Sequence, residues 1–282
     1  MLKILVTGST GFIGVHLLKS LVDTPYTIYG TNSKMGDIAV SGTWDQYPPA
    51  DVVIHLAGKS FVPASWKCPE EFIQCNLMGT VNALNFCKKH NAKLIYLSSY
   101  LYGNPISLPI PETAGLVTPN PYALSKKMAE EACKFYANSF EIDVTILRPF
   151  NVYGLGQSKD FLVPLLVQQI KNGEDIHIKD LNPKRDYVYI TDLVNAIIAA
   201  IPVIKNFNIF NIGSGESYSV AELIQLMQQI VKTNLNVFSS DERRRDEIMN
   251  TIADISNAKK ILNWKPNINL EAGLTELLHA EA

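Results

Sequence analysis

Tyr122 and Lys126 are the residues whose types and spacing point most directly to chemistry. They lie in Thr118-Pro119-Asn120-Pro121-Tyr122-Ala123-Leu124-Ser125-Lys126. Asn120 suits a helix N-cap, and Pro121 suits the first helical position, where its missing N–H costs nothing. A helix that starts there carries Tyr122 and Lys126 one turn apart on the same face. An ammonium held near a phenol favours the phenolate, so Lys126 is expected to lower the pKa of Tyr122 from its reference of about 10. A tyrosine tuned in this way exchanges a proton with a substrate oxygen near neutral pH. By itself the pattern is short, and it also describes a surface lysine beside a packing tyrosine. Support has to come from the elements around it.

The first of these elements is at the start of the chain. Residues 2–7 are a short apolar run, as expected of a parallel strand buried on both faces. The run leads into Thr7-Gly8-Ser9-Thr10-Gly11-Phe12-Ile13-Gly14 and a helix-like stretch to about Val22. Strand, glycine turn and helix form a phosphate-binding arrangement. Gly8 permits the tight turn, Gly11 lets the backbone approach a pyrophosphate, and Gly14 lets the helix pack closely on the strand. The helix N-terminus offers its free N–H groups and positive partial charge to the phosphates.

Strand-like and helix-like segments then alternate, which predicts an α/β fold, a Rossmann-type doubly wound parallel sheet. The strands are expected at Tyr26–Gly30, Val52–Leu56, Lys93–Leu97 and Val144–Leu147, with helices at Pro69–Lys89 and Pro121–Ser139. The interval before Asp51 contains Gly36, Gly42, Pro48 and Pro49 and has little room for a full helix-and-strand repeat, so one unit of the sheet is expected to be trimmed. Beyond Arg148-Pro149 the pattern loosens. Helices are expected at Phe161–Lys171, Thr191–Ala200, Val220–Val231, Ile255–Leu262 and Leu270–His279, with strands at Ile176–Ile178, Tyr187–Ile190 and Phe207–Asn211. This predicts a dinucleotide-binding domain over 1–150, onto which 186–205 packs back, and a smaller α/β lobe over 151–282 that holds the substrate.

Bulk properties narrow the class. With 47% hydrophobic and 18% charged residues, the 282-residue chain can build a sizeable core. A net charge of −2 argues against nucleic acid or an anionic membrane as the main partner. The four cysteines form no C-x-x-C pair and the five histidines are scattered, so no metal site is expected. The N-terminus lacks the apolar run of a signal peptide, and no segment has the length of a membrane span, which predicts a soluble, cytoplasmic protein.

Taken together, these motifs carry a resemblance. Gly8-x-x-Gly11-x-x-Gly14 with Tyr122-x-x-x-Lys126 resembles the extended short-chain dehydrogenase/reductases, in particular the nucleotide-sugar epimerase/dehydratase branch. Asp51-Val52-Val53-Ile54-His55-Leu56-Ala57-Gly58 is similar to that family's fourth strand and the turn along the cofactor. Leu147-Arg148-Pro149-Phe150-Asn151-Val152-Tyr153-Gly154, Arg185-Asp186-Tyr187-Val188-Tyr189-Ile190-Thr191-Asp192, Asn211-Ile212-Gly213-Ser214-Gly215 and Trp264-Lys265-Pro266 follow in the family's order. The resemblance implies cofactor contacts from Gly8, Thr10, Gly11, Phe12, Ile13 and Gly14, and from Thr31, Asn32, Ser33 and Lys34. It implies further contacts from Leu56, Ala57, Gly58, Asn76 and Pro149, besides Tyr122 and Lys126. The third catalytic hydroxyl is expected to be Ser98, counted back from Gly103 in preference to Ser99. Ser99, Asn151, Arg185 and Arg243 are expected to face the substrate, with Arg244 and Arg245 as alternatives to Arg243.

Two departures from the family pattern guide the choice of reaction. The 4,6-dehydratases carry an Asp-Glu pair after the catalytic hydroxyl, whereas Ser99 and Tyr100 stand there in this chain, which disfavours dehydration. NAD-preferring members place an acidic residue at the end of the second strand. Here Thr31 is followed by Asn32, Ser33 and Lys34, which leans the cofactor toward NADP, with NAD as the alternative. The reading is reduction of a nucleotide-activated 4-keto-sugar. A nucleotide-sugar 4-epimerase and a non-catalytic dinucleotide-binding protein are the alternatives. The resemblance also implies a homodimer through the helices near 69–89 and 121–139.

Overall fold

The structure is a computed structural model that describes residues 1–242 and 247–280. Its centre is a six-stranded, all-parallel sheet built from β1 (Lys3–Thr7), β2 (Thr27–Thr31), β3 (Val52–His55), β4 (Lys93–Leu97), β5 (Val144–Pro149) and β6 (Phe207–Ile212). The strand order is β6-β5-β4-β3-β1-β2, a Rossmann-type sheet. Five of the six strands were expected within residues 1–150. The sixth comes from the second half of the chain and pairs in register with β5 from Phe207↔Val144 to Ile212↔Pro149. One strand of the sheet therefore comes from beyond residue 150.

Side-chain alternation explains why the strands read as continuous apolar runs. Successive residues of a strand point to opposite faces. Ile4, Val6, Val52 and Ile54 enter one hydrophobic cluster, and Leu5, Val53, Leu94 and Tyr96 enter another. The first face is covered by α1 (Phe12–Leu21) and α5 (Ile190–Ala200), the second by α2 (Gly79–His90) and α3 (Pro121–Phe140). Three further helices, α4 (Leu162–Lys171), α6 (Val220–Val231) and α7 (Leu270–His279), belong to the smaller lobe. Leu166, Leu223 and Leu274 of these helices share one cluster with Ile4 and Leu17, so the lobe has no separate core.

The segment between β2 and β3 holds two 3-10 turns, Ser33–Met35 and Ser41–Gln46, and no strand. It packs on α2, where Ile38 lies so close to Gly79 that a Cβ there would come within 2.6 Å. The Ile38 carbonyl accepts from both Trp44 Nε1 and Asn82 Nδ2, at 2.9 Å each. The expected single helix over Pro69–Lys89 is instead a short turn, Pro69–Phe72, a π-helical turn, Ile73–Met78, and then α2. In the described residues a short parallel pair, Asn151–Tyr153 with Tyr187–Tyr189, joins the lobe to the edge of the sheet. It was not anticipated over 151–153.

The chain passes from β1 outward to β2 and then back across to β3, so the sheet's switch point lies between β1 and β3, where a crevice opens at the carboxyl ends of the strands. Those ends are knitted by Thr7. Its hydroxyl shares a hydrogen bond with His55 Nδ1 at 2.7 Å and accepts from Ala57 N at 3.3 Å. The His55 ring lies inside a shell formed by Trp44 and Tyr96. Burial, reinforced by the nearby Lys126 charge, pushes the His55 pKa down to about 3, so the ring is neutral in the folded protein.

A group whose folded pKa lies below its unfolded value of about 6.5 stabilises the fold above 6.5 and loses that contribution as pH falls. Lowering the pH from 6.5 to 5 is expected to cost about 2 kcal/mol through His55. Urea unfolding at several pH values should show a shallower dependence over that window in His55→Gln than in the native chain. Equal slopes would place the pH sensitivity elsewhere.

Candidate active site

The glycine turn is built for close backbone approach. Gly8 has φ +70°, and a Cβ there would lie 2.8 Å from Ala57 N, so only glycine lets β1 and β3 meet. A Cβ on Gly14 would stand 2.3 Å from the Gly8 carbonyl oxygen, which shows how tightly α1 is drawn onto the turn. Gly11 is exposed and N-caps α1 with no side-chain hydrogen bond, so no capping side chain occupies the first amides of the helix, at Phe12 and Ile13. Thr10 is exposed beside them. An uncapped helix end over a glycine crevice at the switch point is the chemistry a pyrophosphate requires, and these residues fit a dinucleotide.

At the end of β2 the expectation for Thr31 needs correction. Its side chain is buried, 2% exposed, and turned into the sheet near Tyr47. The side chains that reach solvent there are Asn32, Ser33 and Lys34, with Asn32 Oδ1 accepting from Lys34 N at 3.0 Å. The physical cause is the alternation of the strand, which sends Thr31 inward. Pro149 is likewise buried as the last residue of β5.

Asn76 sits on the π-helical turn and is 1% exposed. Its amide accepts from Lys59 N at 2.8 Å and donates to the Lys59 carbonyl at 3.0 Å and to Ser125 Oγ at 2.9 Å. It thereby fastens the Leu56-Ala57-Gly58 turn to α3. A π-turn aims a side chain that a regular helix would misdirect, and such turns recur at functional sites. A Cβ on Gly58 would be 3.6 Å from Lys126 Nζ, so this turn forms a wall over the lysine.

Asn120 N-caps α3 by accepting from Ala123 N at 2.8 Å, and Pro121 opens the helix, as the sequence suggested. Tyr122 and Lys126 lie one turn apart, but their coupling differs from expectation. The Lys126 ammonium points back to the Leu97 carbonyl at 2.8 Å and lies 4.8 Å from the centre of the Tyr96 ring. Burial lowers its pKa to about 8. The Tyr122 phenol is pushed up to about 12, chiefly by burial, with Ser99 lowering it and Tyr100 adding to the rise. Tyr122 is therefore a protonated phenol at neutral pH, not one poised near neutrality.

Ser98 also needs correction. It is 4% exposed, and its hydroxyl donates to Glu130 Oε1 at 2.5 Å on the far side of the strand end. Ser99, half-buried, is the hydroxyl in hydrogen-bonding reach of the Tyr122 phenol. Counting back from Gly103 ignored the direction of successive side chains, which alternates along extended backbone. The two positions after Ser99 are Tyr100 and the buried Leu101, neither a carboxyl.

On the lobe side, Asn151 accepts from the Tyr100 hydroxyl at 3.2 Å, next to the site. Arg185 is already engaged: its guanidinium donates to the Lys184 carbonyl at 2.9 Å, to the Ile248 carbonyl and to Glu247. Arg243, Arg244 and Arg245 lie outside the described residues. Sequence reasoning missed a buried network behind the site. Arg148 forms a two-pronged pair with Glu130 at 3.0 and 2.5 Å and also donates to the Tyr102 hydroxyl at 2.8 Å, and Tyr102 donates to Asn211 at 2.6 Å. The available signal was a lone arginine in the apolar strand Val144–Pro149, since a buried charge demands a partner. No group of metal-binding side chains occurs among the described residues. Nor is any described helix long and apolar enough to cross a membrane.

Comparison with known proteins agrees with this geometry. The NAD dependent epimerase/dehydratase family model matches residues 4–213. The chain is 30% identical to GDP-6-deoxy-D-mannose reductase of Pseudomonas aeruginosa, over 98% of this chain and 96% of the relative. It superposes with TM-score 0.89 and 29% identity on RMD from Pseudomonas aeruginosa complexed with NADPH, over 99% of this chain and 98% of that one. A UDP-glucose 4-epimerase from Thermotoga maritima with UDP-glucose gives the same TM-score at 27% identity, over 98% and 97% of the two chains. With its glycine crevice, its Tyr122–Lys126 turn and a family match spanning most of its length, the chain belongs to the NAD dependent epimerase/dehydratase family.

Proposed function

We propose that this protein reduces the keto group of a nucleotide-activated 4-keto-(deoxy)sugar with NADPH. The observation that carries the reading is the end of β2. Among Thr31, Asn32, Ser33 and Lys34 there is no carboxylate to repel a 2′-phosphate, and the side chains offered to solvent are neutral or cationic. The similarity to a reductase, and to a structure holding NADPH, points the same way. Gly8, Gly11, Gly14 and the first amides of α1 would hold the pyrophosphate, and Leu56, Ala57 and Gly58 would line its path. When bound, the reduced nicotinamide supplies the hydride.

The remaining work falls to the chain's own side chains. Ser99 donates a hydrogen bond to the sugar carbonyl and holds it against Tyr122. As the carbonyl oxygen gains negative charge, the Tyr122 O–H delivers its proton. An alkoxide approaches hydroxide in basicity, the conjugate of water with a pKa of about 15.7, so a phenol at about 12 gives up its proton downhill. Lys126 keeps a positive charge at the floor of the site, which eases formation of the phenolate. Asn151 faces the sugar side. Arg185 would take the diphosphate by exchanging Glu247 for phosphate oxygens, and Arg243 is assigned the same role by its resemblance to the family pattern.

Titrating NADPH and NADH into the purified protein is expected to show preference for NADPH, with NADPH consumed when 4-keto-sugar nucleotides are added. Retained NAD⁺ with no consumption of NADPH would instead make the protein a 4-epimerase. Activity equal in native chain and Tyr122→Phe would make it a dinucleotide-binding protein without this chemistry. The pH profile gives a second test. Because Lys126 titrates near 8 and Tyr122 near 12, kcat/KM for reduction should be level from pH 6 to 7 and fall as pH rises through about 8. Lys126→Arg, charged throughout, should remove that fall, while Lys126→Met should cost about 100-fold or more. We also assign a homodimer through α2 and α3, because Leu124, Met128 and Phe135 of α3 are exposed apolar side chains. Light scattering should return twice the 31.3 kDa chain mass, and a monomer would refute it.

A further inference from the structure

We propose that Ser98 and Glu130 are positioning residues: their hydrogen bond pins the end of β4 to α3 so that Ser99 is presented to Tyr122. The inference rests on the reading that Ser99, Tyr122 and Lys126 carry the reduction, and it concerns what sets their geometry.

Tyr122, Lys126 and Glu130 follow one another at four-residue steps and share one face of α3. Each engages the same short stretch at the end of β4. Lys126 Nζ donates to the Leu97 carbonyl at 2.8 Å, Glu130 Oε1 accepts from Ser98 Oγ at 2.5 Å, and Tyr122 meets Ser99. Three turns of helix thus grip three consecutive residues. The grip comes just past the end of β4 at Leu97, where two ladder-type bonds remain, from Ser98 N to the Leu147 carbonyl at 2.8 Å and from Tyr100 N to the Pro149 carbonyl at 3.2 Å. The side-chain bonds to α3 act on the residues between and beside these two backbone bonds.

Glu130 is a firm anchor because Arg148 holds it through both carboxylate oxygens. Arg148 is itself fixed by the Tyr102 hydroxyl at 2.8 Å and the Glu112 carbonyl at 3.0 Å. The carboxylate therefore keeps its place whether or not Ser98 bonds to it, whereas Ser98 depends on the carboxylate. Ser98 is 4% exposed and faces away from the crevice, so it acts through Ser99 and not by touching the substrate. A hydroxyl displaced by a fraction of an ångström loses much of its value in a transition state.

The test compares Ser98→Ala, Ser98→Thr and Ser99→Ala with the native chain for kcat, KM, NADPH affinity and thermal midpoint. Ser98→Ala is expected to lower kcat about 10-fold while KM and NADPH affinity stay within about 2-fold, and Ser98→Thr, which keeps the hydroxyl, should recover most of the loss. If Ser98→Ala does not fold, Ser98→Cys, of similar size and a weak donor, replaces it under the same criteria. A kcat within 2-fold of native with only a lowered midpoint, or no recovery in Ser98→Thr, would overturn the proposal. A native chain that turns over no keto-sugar would sink the reaction assignment instead, and loss of activity in Ser99→Ala with none in Ser98→Ala would leave Ser99 catalytic and Ser98 without a positioning role.

Discussion

The buried pair between Arg148 and Glu130 is the interaction on which the site depends. It joins β5 to α3 in a place where both charges are almost wholly removed from water, with side chains 4% and 5% exposed. Removing two ions from water costs several kcal/mol each, and an apolar pair of the same volume would stabilise the fold about as well. What an apolar pair could not supply is an oriented acceptor for Ser98 or an oriented donor for Tyr102. The remaining lone pairs and protons of the two ions are spent on Ser98, Tyr102 and the Glu112 carbonyl, so the desolvation cost is offset by charge-assisted bonds that also set direction. Tyr102 in turn reaches Asn211 on β6, and the Asn211 amide donates to the Ile110 carbonyl at 2.9 Å. The network thus links the ends of β4, β5 and β6 with α3, behind the surface where chemistry is proposed.

The lobe is fastened to this frame by two further carboxylates, both spent on backbone amides. Asp186 is wholly buried and accepts from the amides of Ser214, Gly215 and Ala253 at 2.6, 3.0 and 2.9 Å, and from Ser214 Oγ at 2.7 Å. Burial pushes its pKa up and these bonds pull it back down. Asp192 accepts from Asn267 N and Ile268 N at 3.0 and 2.9 Å, while its carbonyl takes the Trp264 indole proton at 2.9 Å. The Arg-Asp-Tyr, Asn-Ile-Gly-Ser-Gly and Trp-Lys-Pro motifs are therefore parts of one joint. Their order along the chain reflects which loops must meet.

Arg185 and Asp186 show how alternation divides labour between neighbours. Asp186 points into that joint, and Arg185 points to the opposite side, toward the 247–248 segment. Ser98 and Ser99 divide in the same way, one toward the buried frame and one toward Tyr122. In both pairs the inward residue joins a buried hydrogen-bond network and the other turns to the opposite side. The tuning of Tyr122 follows the same logic of enclosure: the desolvation that keeps the phenol protonated comes from the wall that shields the site, with Phe72 edge-on to the ring at 6.4 Å.

Much of this protein was legible in the sequence because it depends on local rules. The strand–glycine–helix order at residues 2–22, the N-cap at Asn120, the four-residue step from Tyr122 to Lys126 and the trimmed link before Asp51 all follow from backbone sterics and periodicity, which hold wherever the segment lies in the fold. What the sequence left open was anything set by a distant partner. Which serine faces Tyr122 is decided by Glu130, 32 residues from Ser98, and whether Lys126 tunes the phenol by the Leu97 carbonyl that captures its ammonium. Phe207–Ile212 becomes a sheet strand because β5 offers an open edge in register. Thr31 is buried because strand pairing turns its side chain inward. Spacing along the chain determines which residues share a face, but direction and charge state depend on what is packed against that face, and only the tertiary structure supplies that.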